Sequence, residues 1–161
     1  MLTAEKPSLW RSRYDISVDG RHIARWEPSW WRSGGEFELD GQRYQLRGNA
    51  LGSRYELIGP AGQPLASAQR VGRKRWTVQA DDRTYQFRRA SIWRGDQELL
   101  LGDQVVGSIR RASMWRSSAV AGLPGMPQPV QVFVLCVVLA MWDAAAAAAN
   151  SAAARGVVSG A

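Results

Sequence analysis

Four residues in one short stretch of this 161-residue chain, "RVGRKR" from Arg70 to Arg75, have side chains that could hold an anion. Arg70, Arg73, Lys74 and Arg75 crowd four cations together, and Arg88 and Arg89 follow a short way on. A guanidinium offers phosphate or carboxylate two parallel N–H donors, and an ammonium offers a compact point charge. Residues 70 to 94 hold eight Lys/Arg and two Asp/Glu, so this segment carries +6 of a net charge of +7. The isoelectric point near 10.5 favours anionic partners, either lipid headgroups or nucleic acid. The plainer reading is a solvated basic loop that keeps the protein soluble.

The other residue types with chemistry of their own are poorly placed for it. His22 is the lone histidine and Cys136 the lone cysteine, so neither a transition-metal site nor an intramolecular disulfide is expected. Cys136 lies in an apolar run and reads as an inert buried thiol. Glu36, Glu38 and Asp40 share one face of an alternating stretch, which suits a weak cation site and equally suits an ordinary solvent face. There is no G-x-S-x-G elbow, P-loop or G-x-G-x-x-G. No catalytic residue, metal or cofactor is predicted. The opening "MLTAEKPSLWR" has no apolar run, and no signal peptide is expected.

A repeat must position the cations. "SLWR" at Ser8, "SWWR" at Ser29, "SIWR" at Ser91 and "SMWR" at Ser113 recur with a period of about 21 residues, with "ALGSR" at Ala50 and "VGRKR" at Val71 filling the empty slots. Midway through each unit stands turn chemistry: Asp19-Gly20, Asp40-Gly41, Ala61-Gly62, Asp82-Arg83, Asp103-Gln104 and Pro124-Gly125. Asp-Gly between alternating apolar residues marks a β-hairpin, because its tight turn demands positive φ. Tyr14, Ile16 and Val18 alternate with Arg13, Asp15 and Ser17, and Trp76, Val78 and Ala80 with Arg75, Thr77 and Gln79. Six units give eleven strands, and a segment near Ala4 to Trp10 is the candidate for a twelfth.

Tandem hairpins leave raw edges unless the sheet closes, and about eight strands already fill a barrel with their own side chains. Twelve leave a hole. "VQVFVLCVVLAMW", Val130 to Trp142, has no charge, follows Pro127 and Pro129, and is trailed by Ala144 to Ala149, strong helix formers. Those thirteen residues rise only about 20 Å as a helix, short of the roughly 30 Å hydrocarbon layer. A span over 130–149, the single-pass anchor reading, puts Asp143 within the bilayer at a cost of about 3 kcal/mol. The expectation is therefore a mainly β protein: a closed antiparallel barrel of about 12 strands, built from six hairpin repeats, with one hydrophobic helix threaded through it. The expected boundaries are an N-terminal arm at 1–7, the barrel domain at 8–149 with its helix at about 129–149, and a flexible tail at 150–161.

With its short, wholly hydrophobic C-terminal helix "PVQVFVLCVVLAMWD" and its "SxWR" and "FELDGQRY" stretches in the style of bacterial members, the chain resembles the superfamily that joins tubby C-terminal domains, LURP-one-related proteins and phospholipid scramblases. The resemblance spans about Leu9 to Ala149 and implies the threaded barrel. Its tubby branch implies phosphoinositide binding through basic side chains, and its scramblase branch a link to calcium and anionic lipid. No motif carries ligand residues of that superfamily onto numbered positions here, and the cysteine-rich and acidic calcium-binding features of scramblases are absent.

Up-and-down hairpins segregate the charges. Asp19, Asp40, Asp81, Asp82 and Asp103 fall at the turn end of the barrel. Arg11, Arg13, Arg32, Arg54, Arg73, Lys74, Arg75, Arg94 and Arg116 fall at the connector end, with Trp10, Trp30, Trp31, Trp93 and Trp115. Such a collar suits anionic headgroups at a membrane interface, or nucleic acid with indoles for stacking; equally, the tryptophans plug the barrel mouth. The expected protein is a non-enzymatic binding module, cytoplasmic and peripheral to the inner membrane face, whose basic barrel end recognises anionic lipid headgroups or another phosphorylated ligand, with Arg70, Arg73, Lys74, Arg75, Arg88 and Arg89 as its candidate anion site. Its alternatives are a nucleic-acid binder, a small-molecule enzyme or carrier using space in the barrel, and the membrane anchor above. No obligate protein partner is inferred.

Overall fold

The computed structural model describes residues 1–7, 13–29, 34–91, 94–113 and 118–159. Twelve strands form β1 (Leu2–Glu5), β2 (Tyr14–Val18), β3 (Arg21–Pro28), β4 (Gly34–Leu39), β5 (Gln42–Gly48), β6 (Arg54–Ile58), β7 (Pro64–Gln69), β8 (Arg75–Ala80), β9 (Arg83–Arg89), β10 (Gln97–Leu101), β11 (Gln104–Ser113) and β12 (Ser118–Gly122). Each pairs antiparallel with its chain neighbours, and β1 pairs with both β2 and β12, so the barrel closes. One helix, α1 (Gln128–Ser159), completes the chain.

The hairpins follow from local chemistry. Asp19 and Gly20 have φ of 49° and 85°, and Asp40 and Gly41 have 52° and 75°, the left-handed pair that a tight hairpin turn with native strand twist requires. Two turns lie one residue earlier than the 21-residue count predicts. They fall at Asp81-Asp82 and Gly102-Asp103, because the positive φ is carried by Asp81 (53°) and Gly102 (62°). Asp tolerates this region better than most residues, so turn position follows backbone tolerance rather than strict spacing.

Strand alternation puts Tyr14, Ile16, Trp26, Phe37, Leu39, Trp76, Val78 and Phe87 inside the barrel. Every residue from Val132 to Leu139 is at most 1% exposed, and Trp142 is 6% exposed. A helix buried on all its faces for eight consecutive positions must be walled on every side, which is the threaded arrangement. Ala4, Ala66, Ala68, Ala119 and Ala121 also face inward and are buried, leaving room for the helix backbone among the larger rings.

The helix enters at the turn end, where the Tyr85 hydroxyl donates to the Gly125 carbonyl at 3.4 Å, and leaves at the connector end, where Trp142 meets Gly95. Gln128 to Trp142 spans about 22 Å, close to the height of strands of five to eight residues. By length and composition the helix could cross a membrane, but half of its most apolar window lies inside the barrel.

Two boundaries differ from expectation. The stretch 1–7, expected as an arm, contains β1 and supplies the twelfth strand. The stretch from 150 onward, expected as a flexible tail, continues α1 to Ser159, with Ala144 to Arg155 exposed beyond the rim. The buried half bears the nucleation cost of a helix, and the alanines propagate it at little further expense.

Candidate functional site

The predicted cations occupy one arc of the connector end. Arg70, Arg73 and Lys74 lie in the link between β7 and β8, Arg75 opens β8, and Arg88 and Arg89 close β9. Backbone hydrogen bonds fasten this link to its neighbours: Val71 N–H donates to the Ser53 carbonyl at 3.0 Å, and Arg89 N–H to the Lys74 carbonyl at 2.8 Å. Within the link, Arg73 N–H donates to the Arg70 carbonyl at 3.1 Å, a turn that Arg70 enters with φ of 60°. Arg70, Arg73, Lys74 and Arg75 are exposed, as is Arg54 at the start of β6; among the described residues none of these, nor Arg89, forms an ion pair.

Arg88 stands apart from this group. Its Nη2 and Nε donate to Glu98 Oε2 at 2.6 and 3.0 Å, across the β9–β10 register that sets the two residues opposite each other. Arg75 is directly opposite Arg88 on the other side, so one rim position carries two adjacent guanidiniums of which one is neutralised. Arg13 and Arg94 of the predicted collar are described as well. Arg13 Nε is buried without a hydrogen-bond partner, and Arg94 is exposed. Trp10, Arg11, Trp30, Trp31, Arg32, Trp93, Trp115 and Arg116 lie outside the described residues.

At the opposite end Asp19, Asp40, Asp81, Asp82 and Asp103 are exposed, beside the basic Arg21 and Arg83. The acidic face expected at Glu36, Glu38 and Asp40 borders a shallow outer groove of about 670 Å³ shared with Arg21, Arg25 and Arg43. Arg43 approaches Glu36 at 4.0 Å, while Arg25 and His22 approach Asp15 at 3.2 and 3.6 Å. Opposite charges interleave along this face, as on a solvated sheet surface. Among the described residues no group of three His, Cys, Asp or Glu side chains is fit to hold a metal ion. Cys136 is buried, and burial pushes its thiol well above the usual range, away from the reactive thiolate.

A second cluster, around the exit of α1, had no local signal in the sequence. Trp142 Nε1 donates to the Gly95 carbonyl at 2.8 Å, and the Arg111 guanidinium lies over the indole at 4.4 Å. Arg111 Nε donates to the Arg94 carbonyl at 3.0 Å. Next along the helix, Asp143 accepts from the Tyr14 hydroxyl at 3.2 Å, while Lys6 sits over the Tyr14 ring at 5.1 Å. Five separate parts of the chain converge here, α1, β2, β11, the β9–β10 link and Lys6 after β1, and only the step from Trp142 to Asp143, where the apolar run ends, marks the spot in the sequence.

Desolvation against the rim raises the Asp143 carboxyl above its ordinary pKa, although Lys6, the Tyr14 hydrogen bond and Arg111 pull the other way. A carboxyl raised on folding holds its proton more tightly in the folded chain, so the stability it confers is present in acid and is lost as pH rises through the folded pKa. Asp143→Asn keeps an acceptor for Tyr14 and removes the charge. It is expected to raise the thermal midpoint modestly at neutral pH and to flatten its pH dependence across the carboxylate range, as followed by circular dichroism melts.

No family model, curated protein or solved structure matches this chain. What the site can do is therefore read from its own geometry: a fastened arc of exposed, unneutralised cations at one end of a charge-segregated barrel.

Proposed function

We propose that this protein is a non-enzymatic binding module that docks its connector end onto a phosphate-bearing surface, the anionic headgroups of a membrane, as a peripheral protein of the cytoplasmic face. The observation that carries this reading is the arc of Arg54, Arg70, Arg73, Lys74, Arg75 and Arg89, which has no ion-pair partner among the described residues and is tied together by backbone hydrogen bonds. An arc on the end of a barrel faces a plane, and a plane of charge is what a lipid leaflet presents. The five aspartates at the other end add orientation, since a negative surface repels that end while attracting the arc. The superfamily resemblance points the same way. Val132 to Leu139 of α1, each at most 1% exposed, occupy the barrel axis that a carrier would use for its cargo. With Val130 to Leu139 covered, apart from the half-buried Gln131, the anchor reading has no support from that half of the helix.

Each basic side chain near an anionic leaflet contributes about 1 kcal/mol, so three contribute about 3 kcal/mol, or roughly a hundredfold in partitioning. Sedimentation with vesicles of graded anionic content is expected to show binding that rises with that content and falls with salt, and that drops about a hundredfold in the Arg73→Gln, Lys74→Gln, Arg75→Gln variant. Arg88→Gln, by contrast, should alter stability and leave binding near wild type. Equal binding to neutral and anionic vesicles, or none, overturns the proposal. A steep salt slope on oligonucleotides without vesicle binding assigns the arc to nucleic acid instead.

A further inference from the structure

We infer that β1 is an exchangeable strand, and that a second copy of this chain can donate its own β1 into the slot between β12 and β2. The inference goes beyond the proposed function and is independent of it. Its basis is the repeat. Five hairpins, β2–β3, β4–β5, β6–β7, β8–β9 and β10–β11, each join two strands of one unit through a short turn. β12 opens the sixth unit, but the chain after it becomes α1, so the hairpin partner that every other unit supplies to itself is missing. β1 fills that place from upstream of the first unit. It is joined to β2 through residues 6–13, and to β12 by pairing alone.

The slot is narrow and its requirements are simple. β1 makes four residue pairs with each neighbour, Leu2↔Ala121 through Glu5↔Ser118 and Leu2↔Val18 through Glu5↔Asp15. Only Leu2 and Ala4 face the core from it, 3% and 0% exposed, against Ala119 and Ala121 of β12 and Ile16 of β2. Releasing it therefore uncovers far less than global unfolding does, and it creates two strand edges, each a template for a new strand. What fits is a short extended segment with an apolar residue and then a small one at alternate positions. A second copy's Leu2–Glu5 fits by identity and restores the same pairing on both edges, and because the exchange is reciprocal it closes as a two-fold dimer. Eight residues, 6–13, separate β1 from β2, and a chain of eight residues has a maximum reach of about 27 Å.

Thr3 and Val120 face each other across the β1–β12 seam on the outer side, at the separation that antiparallel partners hold and a disulfide tolerates. The double variant Thr3→Cys, Val120→Cys is expected to oxidise within one chain; failure to do so overturns the register on which the inference stands. The decisive measurement mixes the two single variants as whole, folded proteins under slow oxidation and reads covalent dimer on non-reducing gels. Exchange brings the two thiols into an effectively millimolar encounter, so the cross-link should form about a hundredfold faster than in a mixture of Thr3→Cys with Gln79→Cys, whose partner lies on the exposed face of β8. Equal rates in the two mixtures overturn the inference. Cys136, buried in every copy, stays out of the chemistry.

Discussion

Leu135→Asp is expected to leave no folded barrel. Leu135 is fully buried in the middle of the buried half of α1, with Val134 and Cys136 beside it equally buried, and no charged side chain of the helix lies within a turn of it. Removing the leucine costs about 2–5 kcal/mol in lost packing. Burying a carboxyl there, protonated or not, costs several kcal/mol more. The total rivals the whole stability of a domain, about 5–15 kcal/mol. The strands cannot survive alone, because a closed sheet of this strand number has a lumen its own side chains do not fill. The variant should therefore lose both its β and its helical circular dichroism and become protease-sensitive, while Leu135→Met, a volume-conserving change costing less than about 1.5 kcal/mol, stays folded. If α1 were an anchor outside the barrel, Leu135→Asp would instead yield a folded, protease-resistant barrel released into solution. That outcome would sink the threaded reading of function and stability together.

What was legible in the sequence follows the range of the forces involved. Hairpins declare themselves within a few residues, through Asp19-Gly20 and Asp40-Gly41 and the alternation around them, and those positions fold as read. The helix declares itself by an absence of charge long enough to need a core and too short to need a bilayer. β1 has no such signal: "LTAE" is four residues without a turn, and its place follows only from the unpaired strand that six units leave behind. The persistence of α1 past 149 was hidden for a different reason, since Asn150 and Ser151 are poor helix residues in isolation and are carried by a helix already nucleated in the core. The site divides the same way. The density of cations from Arg70 to Arg89 is a composition fact, whereas the neutralisation of Arg88 by Glu98 depends on the register of β9 against β10.

Trp142→Ala is expected to be the costliest change at the connector end, and it separates the stability of that end from its charge. The indole is the last buried side chain before α1 enters solvent. It is held on its edge by the Gly95 carbonyl and over its face by Arg111. Truncating a buried tryptophan costs about 3–5 kcal/mol, and in a chain of this size that lowers the thermal midpoint by about 10 °C. Trp142→Phe keeps a ring beneath Arg111 and loses chiefly one hydrogen bond, about 1 kcal/mol. Gly95→Ala attacks the same contact from the facing side: its Cβ would lie 2.8 Å from the indole nitrogen, on a backbone at φ of +70° that a side chain rarely adopts. Once the indole is gone the collision is gone and only the backbone strain remains, so the two changes together should cost less than their sum in denaturant titrations. Additive costs would mean that Gly95 and Trp142 do not form one lock. Arg73 and Lys74 lie in the β7–β8 link and Arg75 opens β8, away from these groups, so the folded fraction of Trp142→Ala should still bind anionic vesicles as wild type does. The helix exit then governs whether the barrel holds together, while the basic arc governs what it holds on to.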